Sequence, residues 1–179
     1  MIITIGGEPG SGKSTVANIV AQKLGYKHYS TGDLRGEIAM RHGLTIDELN
    51  EIGKRELWTD KECDDRTVEI GEEEDNVVFD SWLAWHFIPK SLKVFLTVDK
   101  KEAARRVFAH QRKDEKRQKT AEGVSAMLQK RYIETNERYK KWYHVDITDL
   151  SHYDLVIDAT SKKPEELADE IVAFSKTFK

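Results

Sequence analysis

Short runs of apolar and β-branched residues alternate along the chain with segments of helical periodicity. The run Ile2-Ile3-Thr4-Ile5, which ends at Gly6-Gly7, is typical of a buried strand in a parallel sheet. Strands that alternate with helices predict an α/β fold, in which helices cover both faces of a parallel sheet. The predicted strands are residues 2–5, 27–30, 76–80, 93–98 and 155–157.

The first helix is predicted directly after the first strand. Val16 and Val20 recur at helical spacing, and Gly25 is well placed as the C-terminal stop. A later helix is predicted to start at Thr45, where Glu48 completes a capping box. Further helices are predicted over residues 34–41, 60–69, 100–111, 121–143 and 164–178.

Composition excludes several classes of protein. The 179 residues predict one domain over 1–179, and 39% apolar with 34% charged residues predicts a globular core. A net charge of −3 gives no overall attraction for polymeric nucleic acid, and no run reaches the roughly 18 to 20 apolar residues of a membrane span. A single cysteine, Cys63, and the lack of a signal-like N-terminal segment favour a cytoplasmic location. We expect a monomer whose ligands are small molecules.

Residues 7–14 match the phosphate-loop pattern GxxxxGK[ST] between the first strand and the first helix. Glycines let successive backbone N–H groups turn toward phosphate oxygens, and the helix N-terminus adds partial positive charge. Lys13 is placed to reach the β- and γ-phosphates of ATP, and the Ser14 hydroxyl to ligate Mg²⁺. The alternative is a chance glycine-rich turn. The residues expected to contact the nucleotide are Gly7, Glu8, Pro9, Gly10, Ser11, Gly12, Lys13, Ser14 and Thr15.

Asp80 ends the third predicted strand. The C-terminal ends of parallel strands meet at one edge of a sheet, so Asp80 would emerge beside the phosphate loop. There we expect its carboxylate to help Ser14 hold Mg²⁺. An aspartate at a strand end is also a common turn residue, which is the alternative interpretation.

Further residues extend the pattern beyond the phosphate loop. They are Ser30-Thr31-Gly32-Asp33, Asp60, Asp64, Leu83, Trp85, His86, Phe87, Ile88, Pro89, Arg106, Arg112, Arg131, Arg138-Tyr139, Tyr143 to Asp146, and residues 153–157. On these residues almost the whole chain resembles the nucleoside monophosphate kinases, and within them the short archaeal-type cytidylate kinases. The phosphate loop is generic to P-loop NTPases, whereas residues 131–157 are more specific.

The resemblance implies a P-loop NTPase sandwich of three layers around a five-stranded parallel sheet. It implies ATP and Mg²⁺ at the phosphate loop, and transfer of the γ-phosphoryl group to a pyrimidine nucleoside monophosphate, CMP or dCMP. The expected parts are a core at residues 1–29, 76–111 and 144–179, a monophosphate-binding insertion at 30–75, and a lid at 112–120 before the long helix at 121–143.

Arginines are candidates for stabilising the charge of the transferred group. Their planar guanidinium groups pair two phosphate oxygens at once. Arg112 lies in a basic run, and Arg131 and Arg138 are seven residues apart, so they share a helix face. We expect these three and Lys13 to be catalytic, with surface salt bridges as the alternative for the arginines. The resemblance and the polarity of the insertion add the acceptor-binding candidates Ser30, Gly32, Asp33, Arg35, Asp60, Asp64, Arg66 and Trp82.

Two positions depart from the family pattern. Gly36 stands where relatives usually carry an arginine, with Arg35 one place early, and Trp82 also stands where an arginine is usual. Either an aromatic wall of Trp82 and Trp85 has rebuilt the acceptor site, or monophosphate binding is weaker. Two alternatives therefore stay open: a P-loop kinase for another small acceptor, and a nucleotide-binding module without transfer activity.

Overall fold

The computed structural model describes residues 1–110 and 118–178. Its five strands form one parallel sheet in the order β2-β3-β1-β4-β5, with β1 at the centre. This arrangement confirms the predicted α/β fold with a five-stranded parallel sheet. The strands are β1 (Ile2–Gly7), β2 (Lys27–Ser30), β3 (Val77–Asp80), β4 (Leu92–Thr97) and β5 (Leu155–Asp158).

Helices connect the strands. In the described part of the chain, none has the length and apolar character needed to cross a bilayer. A short 3₁₀ turn at Leu150–His152 precedes β5. The α-helices are α1 (Lys13–Leu24), α2 (Thr31–Arg41), α3 (Ile46–Gly53), α4 (Trp58–Glu73), α5 (Ala84–Phe87), α6 (Lys100–Ala109), α7 (Ala121–Tyr143) and α8 (Pro164–Ser175).

Several helix ends differ from the predicted ones. The helix predicted from residue 34 begins at Thr31, because the Ser30 side chain accepts a hydrogen bond from the Asp33 N–H and caps it. The helix predicted over 60–69 runs from Trp58 to Glu73, and the last helix ends at Ser175 rather than near residue 178. The predicted capping box of Thr45 and Glu48 is present at the start of α3.

The first strand is longer than its apolar run. Gly6 and Gly7 continue β1 and pair with Phe95 and Leu96 of β4. A Cβ on Gly7 would lie 2.7 Å from the Ser11 Oγ and 2.9 Å from the Leu96 carbonyl oxygen. The strand therefore reaches the phosphate loop only because residue 7 has no side chain.

Both faces of the sheet are buried. On one face, α1 and α8 pack over Ile3, Ile5, Val94 and Leu96 in the largest apolar cluster. Phe95 points to the other face, into a cluster built from the residue 82–87 segment, α7 and the chain leading to β5. The sheet is thus the middle of three layers, as a parallel sheet with crossover helices requires.

Helices α2, α3 and α4 form a unit of their own between β2 and β3. Their small core contains Ile38, Leu49 and Cys63, which is only 4% exposed. Burial raises the pKa of the Cys63 thiol to about 12, so the thiol stays neutral near pH 7. These helices occupy the predicted insertion at 30–75, whose role in acceptor binding stays a prediction, and residues 112–117 of the predicted lid lie outside the described residues.

Candidate active site

The phosphate loop connects β1 to α1 and is held by backbone contacts. The Glu8 N–H donates to the Leu96 carbonyl at 2.9 Å, and the Glu8 side chain accepts from the Val98 N–H at 2.7 Å. Gly10 and Gly12 have φ angles of 83° and 85°, in the left-handed region that favours glycine. The loop is thereby fixed to the end of β4 while its centre curls back on itself.

The loop offers open space at Gly12 and an unpartnered polar atom at Ser11. The Ser11 Oγ is buried and finds no hydrogen-bond partner within the described residues. The space where Gly12 would carry a Cβ is open to 4 Å, and Ser14 and Thr15 are exposed on the first turn of α1. An unsatisfied hydroxyl beside free N–H groups at a helix N-terminus fits a bound phosphate group.

Lys13 and Asp80 form an ion pair at the edge of the sheet. The Lys13 Nζ lies 3.0 Å from the Asp80 Oδ1, and Asp80 is 3% exposed. Ile5 of β1 stands opposite Asp80 of β3, so the parallel register brings the carboxylate beside the phosphate loop. The predicted neighbours Lys13, Ser14 and Asp80 therefore do converge at one edge.

Trp82 lies against the phosphate loop. Its Nε1 donates to the Gly7 carbonyl oxygen at 2.5 Å. The Lys13 Nζ is 5.7 Å and the Arg131 Cζ 5.8 Å from the Trp82 ring centroid. Trp85 donates its Nε1 to the Trp82 carbonyl, but its own ring stacks on His152. The two tryptophan rings therefore have different partners.

A buried group of charges joins the insertion to α7. Asp60 lies between two arginines, with its Oδ1 2.6 Å from Arg35 and its Oδ2 2.9 Å from the Arg138 Nε. Arg35 also donates to the Asn50 side chain and the Thr59 carbonyl. Arg35 thus points inward, although it stands one place before Gly36, where relatives usually carry an arginine. Helix α2 starts at Thr31, which sets the direction of the Arg35 side chain.

A second carboxylate lies beside this group. Asp64 accepts a hydrogen bond from the Tyr143 hydroxyl, which joins α4 to the end of α7. Burial raises the pKa of the Asp64 carboxyl to about 7, although that hydrogen bond and Arg35 act to lower it. Burial and the Asp64 carboxylate raise the pKa of the Tyr143 hydroxyl, which stays protonated as the donor. Asp64 is therefore divided between its neutral and ionised forms near pH 7.

These side chains line a cleft between α2, α4, the end of β3 and α7. Of the predicted acceptor residues, Arg35, Asp60 and Asp64 are in its wall. Asp60, Cys63, Asp64 and Thr67 follow one face of α4, and this spacing is the signal that could have predicted Cys63 and Thr67 as lining residues. The lining residues that were not predicted to bind the acceptor are Thr31, Cys63, Thr67, Ser81, Leu83, Ala84, Phe87 and Tyr139.

The remaining predicted acceptor residues lie outside the cleft lining. Ser30 caps α2, and Gly32 and Asp33 are exposed in the first turn of that helix. Arg66 is exposed on α4 and pairs with Glu69. Trp82 faces the phosphate loop, as described above. The lid residue Arg112 falls outside the described residues.

A phosphate loop on a central parallel strand, facing a charged cleft across the same sheet edge, is the architecture of a P-loop phosphotransferase. The model of the cytidylate kinase-like family matches residues 2–161. The chain belongs to this family, and it is a kinase of the nucleoside monophosphate class.

Known relatives cover nearly the whole chain. A cytidylate kinase of Halobacterium salinarum is 32% identical over 96% of this chain and 88% of its own length. One of Methanocaldococcus jannaschii is 36% identical over 90% of this chain and 89% of its own. A longer relative, the S-adenosylmethionine-dependent nucleotide dehydratase of Lacinutrix mariniflava, is 33% identical over 95% of this chain but only 35% of its own length. The family sequence therefore also occurs as part of a larger protein.

Solved structures of proteins with low sequence identity to this chain share its fold. A protein of Eubacterium ventriosum superimposes with a TM-score of 0.76 at 19% identity, covering 99% of each chain. The shikimate kinase of Bacteroides thetaiotaomicron superimposes with a TM-score of 0.67 at 18% identity, covering 98% of each chain. Both share the α/β arrangement over their full length.

Proposed function

We propose that this kinase transfers the γ-phosphoryl group of ATP to a pyrimidine nucleoside monophosphate, CMP or dCMP, with Mg²⁺. The observation that carries the proposal is the Lys13–Asp80 pair at the phosphate loop, on the same sheet edge as the cleft that contains Arg35, Asp60 and Asp64. One half of the site fits a nucleoside triphosphate and the other a smaller anionic acceptor. Relatives named cytidylate kinase support the choice of base.

The donor half uses the loop backbone and the start of α1. Loop N–H groups and Lys13 bind the β- and γ-phosphates, and the buried Ser11 hydroxyl supplies one more donor. Ser14 and Asp80 would hold Mg²⁺, and the metal would neutralise charge on the phosphates. Within residues 1–110 and 118–178 no three carboxylate, histidine or cysteine side chains cluster, and one carboxylate with phosphate oxygens is a normal Mg²⁺ ligand set.

The acceptor half uses the cleft. Arg35 and Arg138 bind the acceptor phosphate while Asp60 keeps their guanidinium groups in place. Asp64, Tyr139 and the hydroxyl of Thr31 supply donors and acceptors for the polar edges of the nucleoside.

The reaction needs no covalent enzyme intermediate. An oxygen of the acceptor phosphate attacks the γ-phosphorus in line, and the bond to the β–γ bridging oxygen breaks to release ADP. Lys13, Arg131 and the lid residue Arg112 spread the charge of the group in transfer.

A second candidate is transfer to a different small acceptor. It is favoured by the pairing of Arg35 and Arg138 with one carboxylate, since Asp60 already neutralises part of their charge. It is also favoured by Trp82, which faces the phosphate loop where an arginine is usual. The charge left for an acceptor phosphate is then smaller than in a site with additional arginines.

The acceptor profile tests the proposal. ADP release is measured by a coupled assay with ATP and Mg²⁺ across CMP, dCMP, UMP, dTMP, AMP and GMP. CMP or dCMP is expected to give the highest kcat/KM. A clear preference for another acceptor supports the second candidate. If ATP binds but none of these acceptors raises ADP release above background, the kinase assignment to nucleotides fails and a nucleotide-binding module is the better description.

A further inference from the structure

Trp82 lies in a turn after β3 that is held by side-chain hydrogen bonds. The Ser81 side chain accepts hydrogen bonds from the Leu83 and Ala84 N–H groups, which fixes the turn after β3. The Trp85 Nε1 donates to the Trp82 carbonyl at 3.1 Å. The indole therefore projects toward the phosphate loop from a turn that three side-chain hydrogen bonds hold.

Two phosphate-binding cations approach the same ring. The Lys13 Nζ comes from α1 and the Arg131 guanidinium from α7, and both lie within about 6 Å of the indole centroid, the range of a cation–π contact. Tyr132, the neighbour of Arg131, has its ring centroid 5.8 Å from that of Trp82. The indole is thus the shared contact of residues from two different helices.

The indole also touches the loop backbone. Its Nε1 donates to the carbonyl oxygen of Gly7, the last residue of β1. A Cβ at Gly7 would meet the Ser11 Oγ and the Leu96 carbonyl oxygen, so the backbone of Gly7 is tightly packed. A fixed donor there holds the point where the strand becomes the phosphate loop.

We propose that Trp82 is a positioning residue for the donor phosphates, an inference that rests on ATP being the donor in the proposed function. Its ring holds Lys13 and Arg131 near each other, and its N–H holds the start of the loop. This role lies on the donor side, whereas the sequence alone predicts contact between Trp82 and the acceptor.

The chemistry of an aromatic ring suits this place. Two cations held close together repel, and a second carboxylate beside Asp80 would cancel the charge that phosphates need. The negative face of the indole attracts both cations and leaves their charge intact. An arginine at this position would instead add a third positive charge beside Lys13 and Arg131.

Two substitutions separate the ring from its N–H group. Trp82→Phe keeps a ring, and Trp82→Leu removes it. Trp58→Phe is the matched control, because Trp58 lies at the start of α4 and contacts His42 and Glu56. ATP binding is measured by titration calorimetry without any acceptor, and the KM of the acceptor and kcat by the coupled assay.

We expect Trp82→Leu to raise the Kd for ATP about tenfold and to lower kcat by a similar factor, with the acceptor KM within about twofold of the wild type. Trp82→Phe should recover most of the ATP affinity, within about threefold. On addition of ATP, tryptophan emission should change in the wild type and in Trp58→Phe but not in Trp82→Phe, because Trp82 is the indole at the loop.

Other outcomes overturn the proposal. A raised acceptor KM with an unchanged Kd for ATP would place Trp82 on the acceptor side. Equal losses in Trp82→Phe and Trp82→Leu would show that the ring does not act on the cations. If a thermal unfolding scan shows that Trp82→Leu does not fold, Trp82→Phe alone provides the test. An ATP-dependent change in tryptophan emission that persists in Trp82→Phe then overturns the proposal. ATP binding needs no acceptor, so a failure of the CMP assignment leaves this test intact.

Discussion

The Lys13 ammonium and the Asp80 carboxylate lie 3.0 Å apart, although Lys13 begins helix α1 and the almost completely buried Asp80 ends strand β3. A buried carboxylate without a partner is costly, so this pair explains how Asp80 is tolerated at the sheet edge. The same pair lies where the phosphates of ATP are proposed to bind, and it joins a cation to the carboxylate that is proposed to hold Mg²⁺.

Lys13→Ala is expected to lower kcat at least about 100-fold, because it removes the cation that stabilises the transferred group. The coupled ADP-release assay measures this loss, and circular dichroism checks that the variant folds. Lys23→Ala is the control: Lys23 is in the last turn of the same helix and pairs on the surface with Asp169. Turnover retained in Lys13→Ala would contradict the mechanism.

Asp60→Asn is expected to destabilise the protein by about 3 to 5 kcal/mol, because it leaves two buried guanidinium groups without a full counter-charge. Urea unfolding followed by fluorescence gives the change in free energy. Asp65→Asn is the control on the same helix, where an exposed pair with Lys61 is worth less than about 1 kcal/mol. Similar losses in both variants would show that Asp60 is not the centre of a buried network.

Asp64 should make stability depend on pH. Its pKa in the folded state is about 7, above the value of 3.8 for a free aspartate, so the folded protein binds the extra proton. Stability from this group is therefore present below about pH 4 and is lost as the pH rises to about 7. Asp64→Asn mimics the neutral acid, so its stability relative to the wild type should rise over that window by on the order of 2 kcal/mol.

Thermal unfolding at pH 5, 6, 7 and 8 measures this difference. Above about pH 7 the gap between Asp64→Asn and the wild type should level off. A gap that is constant across the series would show that Asp64 keeps an ordinary pKa in the folded protein.

Gly10→Ala is expected to reduce stability by about 2 kcal/mol and to weaken ATP binding. Gly10 has φ 83°, and an added Cβ would lie 2.8 Å from the Ala103 Cβ of α6. Gly36→Ala is the matched control, because it is inside α2 with nothing within 4 Å and should gain about 0.5 to 1 kcal/mol. Calorimetry of unfolding and of ATP binding measures both. Equal effects at the two positions would contradict the packing argument.

Local patterns were sufficient to predict the layers of this fold and the phosphate loop. The stretch from Ile2 to Leu24 contains its own strand, glycine loop and helix, and each part depends on neighbours in sequence. Because strands alternate with helices along the chain, the strands were expected to pair in parallel. Parallel pairing brings Asp80 at the end of β3 beside Lys13. These predictions needed no knowledge of side-chain packing.

The charged cleft could be predicted only in part. Arg35 and Asp60 are 25 residues apart and belong to different helices, so their pairing depends on how α2 packs on α4. The direction of the Trp82 indole depends on the turn made by Ser81 and on Arg131 from α7. No periodicity in the sequence encodes such contacts, because they form between elements rather than within them.

Helix α7 sets the spacing between the two halves of the site. It is a single helix of 23 residues that carries Arg131 beside the phosphate loop and Arg138 beside Asp60. Seven residues at 1.5 Å each separate these arginines by about 10 Å along the axis, a distance that a stiff helix does not change. Arg131 beside the phosphate loop and Arg138 beside Asp60 are therefore held at one spacing. One unbroken helix thus fixes how far apart the donor and acceptor halves of the proposed site lie.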